Sequence, residues 1–200
     1  VSVRIKLCGV RTVEDALLCA EAGADEIGVI FAARSKRRVS VEQAKAIRAA
    51  LPEAVPLVGV FLDAPLDEVL GIVREVGLQA AQLHGAWPVA PAPVPLYAAL
   101  QITGEESLQP RPGAARVLLD GPAGGSGKSF AWTLAERARA FFDAPLFVSG
   151  GLTADNVAQA IAQARPDGVD VASGIENAQG FKDPARVRAF VRAARGAASR

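Results

Sequence analysis

The chain of 200 residues has no methionine, one tyrosine, one histidine and two cysteines. Two thiols are too few for a disulfide framework, and Cys8 and Cys19 read as free thiols of a reducing cytoplasm. His84 and two cysteines far apart in the chain lack the ligand spacing of a zinc centre, so no metal is expected. An excess of one charge is also lacking. Lys and Arg total 22 against 21 Asp and Glu, which gives no general pull toward nucleic acid or an acidic membrane, and neither is expected as a partner. No apolar run approaches the ~18 residues of a membrane span, and no signal-peptide pattern opens the sequence, so a cytoplasmic location is expected. Half of the residues are apolar, enough for a sizeable core.

Those apolar residues are arranged as short runs at 3–8, 27–31, 57–62, 78–83, 96–102, 117–120, 146–148 and 169–172, which read as eight buried strands. Helical spacing lies between them. Thr12 is expected to cap a helix that reaches about residue 22 and stops at Gly23, and Ser40 one that runs to about residue 51. Further helices are expected at 66–76, 132–142, from a Thr153 cap to about residue 164, and at 183–194. The stretch 87–95 holds four prolines and cannot be a helix interior, so it is expected to be an extended connection. Eight strands alternating with about seven helices predict a single (β/α)8 barrel over residues 1–200, with a shortened or missing fourth helix. A doubly wound open sheet competes, but no Gly-x-Gly-x-x-Gly follows the first strand.

In such a barrel, active groups gather at the carboxyl ends of the strands. Cys8, Arg37, His84 and Asp120 all fall there. Each has a plainer reading: a small buried apolar residue for Cys8, a solvated charge for Arg37, a hydrogen-bonded core imidazole for His84, a turn cap for Asp120. Their joint position favours function. Gly150 and Gly151 after strand seven, and Ser173 and Gly174 after strand eight, fit the phosphate site of these barrels. After strand six, Gly124, Gly125, Gly127 and Lys128 read as a mobile loop that could close over a ligand or wrap a phosphate. A nucleotide P-loop needs glycine where Pro122 stands.

Lys6-Leu7-Cys8-Gly9, Gln82-Leu83-His84-Gly85, Leu119-Asp120, the run from Gly124 to Phe130, Ser149-Gly150-Gly151 and the segment 169–176 occur in that order. Together they resemble the phosphoribosylanthranilate isomerase family of tryptophan biosynthesis over nearly the whole chain. The resemblance implies a cofactor-free Amadori rearrangement of a small phosphorylated substrate. It makes Asp120 the general acid and Cys8 the general base, and it pairs Arg37 with the anthranilate carboxylate. His84 is left a supporting hydrogen bond, and Asp170 a contact at the aromatic end. Burial is expected to raise the pKa of Asp120, and nearby positive charge or helix N–H groups to favour thiolate at Cys8. Two departures stand out: Ala131 where the family commonly has Asp, expected to weaken loop closure or helix capping, and Ala172 for a frequent Ser. Short of the resemblance, the residues leave open another sugar-phosphate isomerase or lyase, or a barrel that binds a phosphate ligand without catalysis. The sequence does not choose between monomer and homodimer.

Overall fold

Alternation with a period of two has a direct consequence in a closed sheet: one set of side chains faces the lumen and the other faces the helices. The computed structural model, which describes residues 3–88, 91–121 and 130–198, has this arrangement. Strands β1 (Arg4–Leu7), β2 (Glu26–Ile30), β3 (Leu57–Leu62), β4 (Ala80–His84), β5 (Leu96–Gln101), β6 (Arg116–Asp120), β7 (Leu146–Ser149) and β8 (Gly168–Val171) close into a parallel barrel in chain order. The seam pairs β1 with β8, Lys6 opposite Asp170. Outward residues such as Ile5, Leu7, Ile27, Val29, Leu119 and Val148 pack on the helices in one continuous apolar layer. A second, separate cluster fills the lumen: Val58, Ala80, Tyr97, Ala99, Leu118 and Phe147. Lys6, Glu26, Gln82, Arg116, Ser149 and Asp170 are also buried, at inward positions of the same alternation.

The described residues contain six α-helices: α1 (Val13–Glu21), α2 (Val41–Ala50), α3 (Leu66–Val76), α4 (Phe130–Phe141), α5 (Val157–Ala164) and α6 (Pro184–Ala198). Thr12 caps α1 by accepting from the Asp15 amide at 3.1 Å. Ser40 caps α2 in a reciprocal box with Gln43. Asp183 caps α6 through the amides of Ala185 and Arg186.

Two expectations need correction. Thr153 does not cap α5; the helix starts four residues later, because the Asn156 side chain accepts from the Thr153 amide and holds a turn ahead of it. About seven helices were expected, and the connection from β5 to β6 also lacks one. It has only a 3-10 turn at Glu105–Ser107, since Pro110, Pro112 and Gly113 follow. The proline-rich connection after β4 carries no helix among its described residues. The two bare connections meet: Trp87 donates its indole N–H to the Pro112 carbonyl at 3.0 Å.

Near the amino ends of the strands the lumen is held by an ion pair. Arg116 reaches Glu26 at 2.5 Å and lies between the Tyr97 and Phe147 rings, 4.4 and 4.0 Å from their centroids. Without Arg116 the buried Glu26 carboxylate keeps only the half-exposed Arg4, 3.1 Å from its other oxygen, and loses its buried partner. Arg116→Leu should therefore cost about 3–5 kcal/mol, read from urea unfolding, and adding Glu26→Gln should recover part of that loss.

Candidate active site

The carboxyl ends of the strands deliver the reactive groups to one place. Cys8 follows β1 directly, His84 ends β4, Asp120 ends β6 and Ser149 ends β7. All four line a cavity of about 220 Å³, together with Gln82, Gly150, Gly151, Asp170 and Ser173. Room for the thiol is made by Gly28 on β2, where an added Cβ would lie 2.6 Å from the Cys8 sulfur. Arg37 is set in the connection from β2 to α2 and does not line this cavity. The loop residues Gly124, Gly125, Gly127 and Lys128 lie outside the described residues.

Lys6 lies beneath the cavity, fully buried, and binds Asp170 Oδ1 at 2.9 Å. Burial works against its charge, but the carboxylate of Asp170 and the neighbouring Cys8 outweigh it, and its pKa is raised. Lys6 therefore stays an ammonium. Burial pushes the Asp120 carboxyl up to about 6; the hydroxyl of Ser149, donating at 3.1 Å, pulls it down, Asp170 adds to the rise, and Lys6 works against it. The rise expected for Asp120 is present. The expected preference for thiolate at Cys8 is not. Burial raises the thiol above its ordinary value, and the positive charges of Lys6 and Lys182 offset this only in part. His84 is shifted down by burial and then by Lys6, so its imidazole is neutral at pH 7.

Arg37 grips Glu176 with two bonds, Nε to Oε1 at 2.7 Å and Nη2 to Oε2 at 2.8 Å. Lys182, itself buried, binds the same carboxylate at 3.0 Å and the Ala172 carbonyl at 3.1 Å. Burial alone would raise Glu176, yet its two cationic partners hold it below the usual carboxylate range. A guanidinium carries five N–H donors, so the clasp leaves Arg37 with about three for a ligand. Past β7, Gly150 and Gly151 have φ of +86° and +65°. The first is needed sterically as well, because a Cβ there would lie 2.6 Å from the Gly121 amide nitrogen. Ser173 begins a short 3-10 turn, and Gly174 packs behind it against the loop after β7.

Four polar residues of this region escaped assignment from sequence: Lys6, Gln82, Glu176 and Lys182. Three carried a usable signal. Lys6 and Gln82 stand two positions before Cys8 and His84 and so share their inward face. Glu176 ends the segment 169–176, which runs on from the last strand. Lys182 carried no such signal, because a polar turn places it.

A family model described as N-(5'-phosphoribosyl)anthranilate isomerase matches residues 5–193. The chain belongs to this family. Among phosphoribosylanthranilate isomerases, one from Pseudomonas fluorescens is 42% identical, over 97% of this chain and 96% of its own. One from Stutzerimonas stutzeri is 43% identical, over 96% and 97%. The crystal structure of the Thermotoga maritima isomerase superposes with a TM-score of 0.88 at 38% identity, covering 97% of this chain and 99% of that one. Another isomerase structure, 36% identical with a TM-score of 0.86 over the same shares, holds reduced 1-(o-carboxyphenylamino)-1-deoxyribulose 5-phosphate.

Within this isomerase fold, Ser149 sets how far the Asp120 carboxyl rises. Its hydroxyl favours the ionised form, so Ser149→Ala should move the Asp120 pKa upward from about 6. A carbon-13 NMR titration of the aspartate carboxyls reads this, and a downward movement would contradict the assignment.

Proposed function

We propose that this chain converts N-(5-phosphoribosyl)anthranilate to 1-(2-carboxyphenylamino)-1-deoxyribulose 5-phosphate, with Asp120 as general acid and Cys8 as general base. The observation that carries this reading is a carboxyl raised to about 6 and a thiol on the walls of one cavity, in a member of this family. Asp120 gives its proton to the ring oxygen as the C1–O bond breaks and the nitrogen lone pair forms C1=N. Cys8 thiolate then takes the proton from C2, and that electron pair becomes C1=C2 as nitrogen regains its own. Loss of the hydroxyl proton at O2 and gain of one at C1 complete the ketone. The scheme uses acid and base alone.

The two pKa shifts put the reacting groups in reverse order. A carboxyl near 6 is mostly ionised at pH 7.5, and a thiol above its ordinary value is mostly protonated. The competent form, acid protonated and base ionised, is then a small minority of the molecules. Its abundance is flat between the two pKa values and falls outside both. The scarce thiolate is compensated by its strength as a base. Donors on Arg37 beyond those held by Glu176 support binding of the anthranilate carboxylate, and the loops after β7 and β8 suit the phosphate, Gly150, Gly151, Ser173 and Gly174 among them. His84 supports the sugar region. Asp170 is tied to Lys6 through Oδ1, which makes any contact with the aromatic end secondary to holding that charge. The same reading puts the chain in the cytoplasm. Cys8 and Cys19, unpaired and buried, support a reducing compartment, and no helix among the described residues is long and apolar enough to cross a membrane.

The loss of substrate fluorescence measures turnover directly. Cys8→Ala and Asp120→Asn should each lower kcat by about 10²–10⁴; turnover near the parent rate in either variant would remove that residue's role. A plot of log kcat/KM against pH should fall below about 6 as Asp120 gains its proton in the free enzyme, and should fall again above the raised thiol pKa. Arg37→Ala should raise KM by roughly 10–100-fold, with a smaller effect on kcat.

A further inference from the structure

Gln82 sits on the wall of the cavity that holds Cys8 and Asp120, with 3% of its surface exposed. Its Nε2 lies 3.0 Å from His84 Nε2, a contact that fixes the plane of the carboxamide. Its Oε1 is buried and has no hydrogen-bond partner among the described residues. A buried amide oxygen without a donor is costly, which favours any ligand that brings one. The alternative setting of the amide, rotated by half a turn, lets Oε1 accept from His84 and leaves Nε2 as the open position. In one setting the open position calls for a donor, in the other for an acceptor. A hydroxyl serves both, whereas a carboxylate or phosphate oxygen serves only the second.

The charged ends of the substrate have other places to go, Arg37 on one side and the glycine loops after β7 and β8 on the other. The sugar between those ends is the part of the substrate left for Gln82 and His84 on the cavity wall. We propose that Gln82, oriented by His84, hydrogen-bonds a ribose hydroxyl at C2 or C3 and is a specificity-determining residue of the site. Anchoring that hydroxyl restricts rotation of the opened sugar chain, so that the C2 hydrogen is presented for removal rather than turned away. It also makes the site discriminate against sugars that lack the hydroxyl, because the amide is then left unpaired.

The inference rests on the isomerase reading above, and the test separates the two. The probes are the reduced product analogue, 1-(2-carboxyphenylamino)-1-deoxypentitol 5-phosphate, and its 2-deoxy and 3-deoxy counterparts, titrated calorimetrically into the parent protein and Gln82→Met. The parent should bind the full analogue about tenfold or more tightly than one of the deoxy compounds. Gln82→Met should lose affinity for the full analogue and bind that deoxy compound equally well. Equal affinity of the parent for all three compounds overturns the proposal, as does discrimination that survives intact in Gln82→Met. Absence of binding by the full analogue to the parent protein counts against the isomerase reading itself. Should Gln82→Met not fold, the side-chain amide resonance of Gln82 in the parent gives the answer. It should shift with the full analogue and keep its unbound position with the deoxy compound, and an identical shift with all three would refute the contact.

Discussion

Lys6 has no access to water, and its ammonium has to be satisfied by the protein. Asp170 does so at 2.9 Å, across 164 residues of sequence and at the seam where the last strand meets the first. A buried pair of this kind adds little net stability over an apolar replacement, but breaking it is expensive. The constraint is therefore on arrangement. A chain that leaves the barrel open at β1 and β8 strands both charges, and a chain that closes it in this register delivers them together under the cavity. The same act that completes the fold sets the electrostatics of the site.

From that pair the field spreads in two directions. Lys6 lowers the cost of a negative charge on Cys8 and Asp120, while Asp170 raises it for both. Burial raises both groups further, and this shared cause has opposite consequences for the two roles. It keeps a carboxylic acid protonated closer to neutrality, which suits a proton donor. It makes a thiolate rarer, which a base must overcome through its greater strength. Arg37 is handled differently. Glu176, itself held by Lys182, fixes it from the side of β8, so its fork is set in place ahead of any ligand.

Much of the barrel was legible because its cause is local. Apolar runs bounded by polar turns mark the strands, and Thr12 and Ser40 announce helices through hydrogen bonds that span three residues. The position of each strand's last residue then gathered Cys8, His84 and Asp120 without further information. Legibility failed where competing interactions decide. Thr153 resembles a cap until Asn156 takes its amide. The missing helix between β5 and β6 follows from Pro110, Pro112 and Gly113, and Trp87 seated on Pro112 then ties the two bare connections together. The direction of the Cys8 shift is a contest between burial and two lysines, and sequence shows the lysines but not the depth.

The lumen carries the last step. An apolar filling of Tyr97, Leu118 and Phe147 would by itself make a packed core, but the inward positions above it hold Lys6, Gln82, Ser149 and Asp170. Such a polar layer is tolerated only where its members satisfy one another, and most do: Lys6 with Asp170, Ser149 with Asp120 and the Leu119 carbonyl. Gln82 Oε1 is the exception. A lumen selected for stability alone would hold apolar residues of similar volume at these positions. Its polar residues are best understood as a preorganised solvent for charge that moves during the reaction, fixed in direction before the substrate arrives.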